Sequence, residues 1–217
     1  CGIRRVEFID TDLYISRYTS GSYHSEDRTH DTGHKAHAER IKHDYRVAES
    51  RLAKLSRFRQ FDAATFLDVG CSNGALLMAL INNRAYTPKM YPNATLDTIY
   101  GCDLALDSLD TELKGHSNIR RGEIGECGFQ RRTFDVITFN DVLEHIPDPI
   151  SALRIAKGLL KRTGILVVDI PDMGSDDALA LGPKFKHVKP HEHLWYFTAL
   201  QLKDFLEREG FNILWMD

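Results

Sequence analysis

The chain has 217 residues, of which 42% are hydrophobic and 27% charged, and its formal net charge is −3. The basic residues are spread along the chain, which argues against a nucleic-acid partner, and no apolar run approaches the ~20 residues that a membrane helix needs. No basic-then-apolar leader opens the chain, and the four cysteines stand alone in the sequence. We therefore expect reduced thiols, a cytoplasmic protein and a small-molecule ligand.

The N-terminal part is predicted to be an extension over residues 1–60, ahead of a main domain over residues 61–217. A short strand at residues 4–9 is followed by a polar stretch at 10–33 without periodicity, which predicts a loop or flexible lid. A helix is predicted from about His34 to Arg57, because apolar residues there recur at three- and four-residue steps. Since the first residue is Cys rather than Met, we expect a fragment or a processed chain.

The segment Phe66–Leu77 (FLDVGCSNGALL) combines a short apolar run, a glycine-rich turn and the start of a helix. Gly70 and Gly74 can adopt backbone angles that are closed to other residues. A helix that begins near Asn73 points unpaired N–H groups toward the same place. This stretch therefore predicts a small-molecule binding turn between a strand and a helix.

The rest of the chain alternates between apolar strands and helices. An irregular connection at 82–98 leads to strands at 98–103, 117–121, 134–139 and 165–170, with helices at 105–115 and 149–161 and a break at Gly164. Strands that are apolar throughout and separated by helices indicate a doubly wound, mostly parallel α/β sheet of the Rossmann-like type. Ligands of such sheets bind outside the carboxyl ends of the strands. Polar residues follow those ends here, namely Asp68–Gly74, Asp103, Glu123, Asn140, Asp141 and Asp169–Asp172.

Two other interpretations of the turn remain open from the residues alone. Gly70–Gly74 also matches the G-x-S-x-G pattern of α/β serine hydrolases, with Ser72 as nucleophile and an acid and a histidine later in the chain. However, that fold places several strands before the nucleophile, and this chain offers one short one. A dinucleotide-binding turn is the second alternative, but it needs a glycine where Ser72 stands.

Three motifs in the predicted order resemble those of class I S-adenosylmethionine-dependent methyltransferases. They are Asp68–Gly74 (DVGCSNG), Asp103 at the end of the second strand, and Phe134–Pro149 (FDVITFNDVLEHIPDP). The tail from His193 to Phe211 is similar to that of a small-molecule branch, which includes ubiquinone-biosynthesis and sugar-modifying enzymes. The resemblance covers about residues 40–217. It implies an enzyme that uses S-adenosylmethionine, releases S-adenosylhomocysteine, and methylates oxygen, nitrogen or carbon of a small molecule; the alternative is a member that binds the cofactor without turnover.

The same resemblance implies a set of cofactor-binding residues. Asp103 would accept both ribose hydroxyls, Leu104 would pack on the adenine, and Asp68 would hold the turn or reach the amino group of the methionine part. Ser72 departs from the pattern, because the family usually has glycine there. The complete predicted set is Asp68, Gly70, Cys71, Ser72, Gly74, Asp103, Leu104, Glu123, Ile124, Asn140 and Asp141.

Three histidines are candidate general bases for an acceptor that must lose a proton, because imidazole titrates near neutral pH. His145 follows the fourth strand of the predicted sheet, and His191 and His193 follow the fifth. A structural role in fixing the turn at Ile146 is an equal alternative for His145. With His187, the later pair also has metal-like spacing, but we expect no metal here.

Overall fold

The computed structural model describes residues 4–5, 33–56, 64–82 and 94–216. Its helices and strands are β1 (Arg4–Arg5), α1 (Gly33–Leu55), β2 (Phe66–Val69), α2 (Ala75–Asn82), β3 (Ile99–Asp103), β4 (Ile119–Arg121), β5 (Phe134–Asn140), α3 (Pro149–Leu159), β6 (Leu160–Asp169), α4 (Asp176–Leu181), β7 (Trp195–Tyr196) and α5 (Ala199–Arg208). Single turns of 3-10 helix lie at Leu143–His145 and Gly182–Lys184. The predicted strand beyond Arg5, the predicted lid up to residue 32 and residues 83–93 of the long connection lie outside the described residues.

Five strands form one parallel sheet in the order β4-β3-β2-β5-β6. Strand β2 lies at its centre, and all four of its residues are buried. The predicted doubly wound, mostly parallel sheet is confirmed. Strands β1 and β7 form a separate antiparallel pair, in which Arg4 lies opposite Tyr196.

Hydrophobic residues cover both faces of the sheet. On one face, Phe66 of β2 packs in a cluster with α1 and α2. On the other face, the next residue, Leu67, packs in a cluster with α3 and α5. This alternation follows from the two-residue period of a strand, and it explains why β2 is apolar on consecutive positions.

Helix α1 is part of this core. Its residues Ala48, Leu52 and Leu55 are buried in the same cluster as Leu77 of α2. The predicted domain boundary after residue 60 stays a prediction, but the helix before it packs directly on the sheet domain.

The predicted helix at 105–115 is wrong, because the structure has turns there. Within this segment, Asp110 uses its side chain and its own N–H for contacts that compete with a helix. Oδ1 of Asp103 accepts from the N–H of Ala105, and Oδ1 of Asp110 accepts from that of Glu112. The N–H of Asp110 donates to the carbonyl of Asn73 instead of to its own segment.

The predicted break at Gly164 is also wrong, since β6 begins at Leu160 and runs through it. The pairing with β5 shifts register between Phe134 and Val136, where Gly164 lies close to the neighbouring backbone. A Cβ atom on Gly164 would lie 3.0 Å from the carbonyl oxygen of Phe134. Glycine is therefore used here for close backbone approach inside a strand, rather than as a breaker.

Candidate functional site

A cavity of about 700 Å³ lies at the carboxyl ends of the strands, between the sheet and α1. This volume suits a drug-sized ligand. Ten of the eleven residues predicted to bind the cofactor line it. The exception is Gly74, which lies against Leu109 and Leu113 beneath the turn.

The turn after β2 adopts left-handed backbone at Gly70 (φ 72°) and also at Ser72 (φ 50°). A side chain at Gly70 would overlap Val142, so this position requires glycine. The N–H of Ser72 donates to Oδ2 of Asp103 at 2.8 Å. From the sequence, Asp68 is one residue that could hold the turn. In the structure, the carboxylate that accepts from the turn at Ser72 is that of Asp103.

Asp68 faces β5 and is 4% exposed. Its Oδ1 accepts from the Thr138 hydroxyl at 2.6 Å and from Nδ2 of Asn140 at 3.4 Å. Burial raises the pKa of Asp68 to about 6, although these hydrogen bonds and the positive charge of Arg51 favour the ionised form. Oδ1 of Asn140 is buried and has no hydrogen-bonding partner among the described residues.

The opposite end of the cavity is formed after β3 and β4. Leu104 lies beside Asp103, while Glu123 and Ile124 follow β4. Ile124 is buried and Glu123 is exposed at the rim. Partial burial raises the pKa of Glu123, and the neighbouring Glu126 carboxylate raises it further. This end is therefore an apolar shelf with a carboxylate at its edge.

Helix α1 closes the cavity with polar contacts that were not predicted. Arg51 Nη2 lies 2.5 Å from Oδ2 of Asp141, and Arg51 Nε lies 2.8 Å from Oδ2 of Asp169. Nearer the turn, Nδ2 of Asn73 donates to Oδ2 of Asp44 at 2.8 Å. One feature of the sequence could have predicted these contacts. Asp44 and Arg51 lie at helical spacing from Ala48, which is buried, and so they share the face of α1 that packs on the domain. Charged residues on an apolar stripe indicate buried or semi-buried pairing.

In the part of the chain that the structure describes, carboxyl groups outnumber basic side chains around the cavity. Among the described residues that line the cavity, Arg51 is the one lysine or arginine. Lining residues with a carboxyl group are Asp44, Asp68, Asp103, Glu123, Asp141 and Asp148. An excess of one sign of charge in a cleft attracts ligands of the opposite sign, so this site favours a cationic ligand.

Two of the three candidate bases, His145 and His193, lie together, and His191 lies apart from them. His145 lines the cavity and is buried, and the ring of buried His193 packs edge-to-face on it with centroids 4.7 Å apart. His191 is exposed and is not among the residues that line the cavity.

Burial lowers the pKa of both His145 and His193 to about 4, mainly by disfavouring the charged ring. Each is therefore a neutral imidazole at neutral pH and a weak base. The predicted basic role stays a prediction for all three histidines.

The described cysteines, Cys71, Cys102 and Cys127, are buried free thiols. Burial raises the pKa of the Cys71 thiol well above its usual range, so this cavity-lining residue is not a reactive thiolate. In the described part of the chain, no helix combines the length and the apolar character required to cross a bilayer.

Comparison with known proteins agrees with this geometry. The sequence pattern of a methyltransferase domain family matches residues 38–215. The ubiquinone biosynthesis O-methyltransferase of Actinobacillus pleuropneumoniae is 30% identical over 163 residues, which cover 63% of this chain and 64% of that protein. The enzyme of the same name from Hydrogenovibrio crunogenus is 30% identical over 128 residues, covering 55% of this chain and 48% of that protein. The chain thus spans between about half and two thirds of these relatives.

The fold is also similar to that of solved methyltransferase structures. Magnesium protoporphyrin IX methyltransferase from Synechocystis PCC 6803, solved with bound S-adenosylhomocysteine, superimposes with a TM-score of 0.64 at 16% identity. The match covers 96% of this chain and 92% of that one. These comparisons do not favour the serine hydrolase and dinucleotide-binding alternatives, and the chain belongs to the class I S-adenosylmethionine-dependent methyltransferases.

Proposed function

We propose that this protein transfers the methyl group of S-adenosylmethionine to a small-molecule acceptor. The observation that carries the proposal is the contact between Asp103 and the turn. One carboxylate both fixes the left-handed backbone at Ser72 and faces the cavity between the turn and the apolar shelf. A carboxylate offers about four acceptor positions, so the same group can hold the turn and accept from a ribose diol.

The residues present fit this cofactor at the methionine end. Asn140 Oδ1 lacks a partner among the described residues and lies at the cavity, where an ammonium group would satisfy it. Asp68 lies beside it and supplies negative charge. Gly70 leaves the backbone of the turn accessible, because no side chain fills that space. At the other end, Leu104 and Ile124 offer apolar surface to a base, and Glu123 offers an acceptor at the rim.

When bound, the cofactor supplies an electrophilic methyl group on a sulfonium, and the chain needs mainly to orient the two reactants. Such alignment accounts for much of the rate of an in-line transfer. Arg51 and Asp141 hold α1 against the mouth of the cavity, which fixes the wall that an acceptor must approach. His145 and Ile146 form the adjacent part of that wall.

Several finer assignments belong to the same proposal. The similarity to O-methyltransferases supports a hydroxyl acceptor, with nitrogen and carbon acceptors as the alternatives to test. The net charge of −3 supports a small molecule over a nucleic acid. Buried free thiols support a reducing, cytoplasmic location.

Titration calorimetry followed by a product assay tests the proposal. We expect S-adenosylmethionine and S-adenosylhomocysteine to bind, and NAD to show no heat. S-adenosylhomocysteine release should then be detected with at least one member of a panel of phenols, quinone precursors, amines and sugar nucleotides. Binding without release across the panel would indicate a member without turnover, and NAD binding without S-adenosylmethionine binding would overturn the proposal.

A further inference from the structure

A second cluster of chemically active side chains lies behind the mouth of the cavity. Glu144 and His145 are neighbours in the 3-10 turn after β5, and His193 lies just before β7. One ligand atom from each of the three residues lies within 4.8 Å of the other two. All three side chains are buried, and the two carboxyl oxygens of Glu144 have no hydrogen-bonding partner among the described residues.

The Glu144 carboxylate is the most unusual member. Its side chain is 2% exposed, and neither oxygen has a hydrogen-bonding partner outside its own residue among the described residues. Buried carboxylates are normally paired or hydrogen-bonded, because burial of an unpaired charge is strongly unfavourable. Both oxygens of Glu144 are therefore left without a hydrogen bond among the described residues, and a cation that reached them would supply a partner.

His145 does not supply that partner directly. Its Nδ1 lies 2.8 Å from the carbonyl oxygen of Glu192. Since a carbonyl only accepts, Nδ1 carries the proton and Nε2 presents a lone pair. This Nε2 lies 3.9 Å from Oε1 of Glu144, which is too far for a hydrogen bond. A carbonyl that fixes the far nitrogen of an imidazole is typical of histidines that bind metal.

His193 completes the cluster from another part of the chain. Its N–H donates to the carbonyl of Lys189 at 2.7 Å, and the N–H of Leu194 donates to the carbonyl of Glu144 at 2.8 Å. The second bond ties the two segments together, the first fixes the loop around His193, and the His193 side chain is buried against His145. The three donor groups are thus held near each other by the backbone before any ligand arrives.

We propose that Glu144, His145 and His193 bind one divalent transition-metal ion of the Zn²⁺ type. Two neutral imidazoles and one carboxylate suit such ions, whereas Mg²⁺ and Ca²⁺ prefer oxygen ligands throughout. Bonds of about 2.1 Å place tetrahedral ligand atoms about 3.4 Å apart. The longest separation must therefore shorten by at most about 1.4 Å on binding, which a rotamer change at His193 can provide.

This proposal replaces the expectation of no metal, which considered the spacing of His187, His191 and His193. The structure instead groups His193 with Glu144 and His145. Three protein ligands leave at least one coordination position for a water or for an oxygen of another molecule. The site is independent of the methyl-transfer proposal, because binding can be measured without the cofactor.

Zinc binding to the full chain tests the site. After chelator treatment and gel filtration, Zn²⁺ is titrated by calorimetry and the bound metal is measured by atomic emission. We expect one ion that is lost when the ligands change, with affinity at least 100-fold weaker in Glu144→Gln and in His193→Ala. The matched control is His191→Ala, an exposed histidine two positions away, which should stay within twofold of the wild type. Mg²⁺ should not compete.

Cobalt provides a measurement that does not depend on the variants folding. Co²⁺ bound by the wild-type chain should show the intense visible absorption of a four- or five-coordinate ion with nitrogen ligands. The spectrum of aqueous Co²⁺, or Zn²⁺ retention by both Glu144→Gln and His193→Ala at the wild-type level, would overturn the proposal. Ions held elsewhere, for example by N-terminal histidines, would survive these substitutions and are counted separately.

Discussion

Arg51 of helix α1 donates to Oδ2 of Asp141 at 2.5 Å, across a separation of 90 residues in sequence. Asp141 directly follows β5, and its own N–H donates to the carbonyl of Asp169 at the end of β6. The same guanidinium reaches the Asp169 carboxylate. One side chain therefore fastens the helix over the cavity to two neighbouring strand ends.

Replacing Arg51 should loosen this closure. Arg51→Ala leaves two neighbouring carboxylates without their shared cation, and we expect a loss of about 1–2 kcal/mol in the free energy of unfolding. That corresponds to a decrease of roughly 2–8 °C in Tm for a chain of this size. Hydrogen exchange should become faster in α1. Arg46→Ala, on the exposed side of the same helix, is the control, and equal effects of the two changes would contradict the interpretation.

Asp103→Asn should weaken cofactor binding more than it weakens the fold. The amide oxygen can still accept from the Ser72 N–H, but the amide nitrogen cannot accept from the Ala105 N–H, and the negative charge that a ribose diol would use is lost. Loss of charge-assisted hydrogen bonds worth about 1.5–3 kcal/mol predicts a roughly 10- to 150-fold rise in the Kd for S-adenosylhomocysteine. Calorimetry measures this change. Asp107→Asn, an exposed aspartate on the next turn, should bind normally, and an unchanged Kd in Asp103→Asn would refute the assigned role.

The buried carboxyl of Asp68 predicts a specific pH dependence. Its pKa is raised to about 6 in the folded protein, whereas an unfolded chain ionises near 4. Between these values the folded state binds more protons, so the contribution of Asp68 to stability is complete below pH 4 and is lost as pH rises through 6. The loss amounts to about 3 kcal/mol.

Urea unfolding of the wild type and Asp68→Asn measures this effect as a difference. Because the amide does not titrate, the free energy of unfolding of the wild type should fall relative to the variant between pH 4 and pH 7. Other titrating groups, including the buried histidines, cancel in the comparison. A constant difference across this range would show that Asp68 is not held protonated in the folded chain.

Ser72 should tolerate glycine, whereas Gly70 should not tolerate alanine. Ser72→Gly removes the strain of a left-handed backbone at a residue with a side chain, but it also makes the unfolded chain more flexible. Because these effects oppose each other, we expect a free energy of unfolding within about 1 kcal/mol of the wild type. S-adenosylmethionine binding should also persist. Gly70→Ala introduces a clash with Val142 and should lower the free energy of unfolding by about 2 kcal/mol or more. Thermal unfolding tests both, and a large loss in Ser72→Gly would mean that its side chain has an essential contact.

The predictions from sequence were accurate where a local pattern determines the structure. An apolar run followed by Asp68 and Gly70, or by Asp103, specifies a strand end and its turn within a few residues. The helix expected at 105–115 does not form, because the Asp110 side chain accepts from the N–H of Glu112 and the N–H of Asp110 donates to the carbonyl of Asn73 in the distant turn. The break predicted at Gly164 is absent, because this glycine allows β6 to lie close to the backbone of Phe134 in the neighbouring strand, and a local pattern does not show that contact.

Contacts between distant segments could not be derived from one sequence. Arg51 contacts carboxylates 90 and 118 residues away, and His193 contacts His145 from a different segment of the chain. Each of these residues has an ordinary local context. Their joint position is a consequence of the order of the strands and of the way α1 packs, which a linear pattern does not encode.

The carboxylates that line the described part of the cavity have a consequence for the proposed reaction. S-adenosylmethionine carries one more positive charge than S-adenosylhomocysteine, because methyl transfer converts the sulfonium into a neutral thioether. A wall that includes Asp68, Asp103 and Asp141 therefore attracts the donor more strongly than the spent product. Under the proposed function, methyl transfer would therefore lower the electrostatic attraction between the site and the product, which would favour release of S-adenosylhomocysteine.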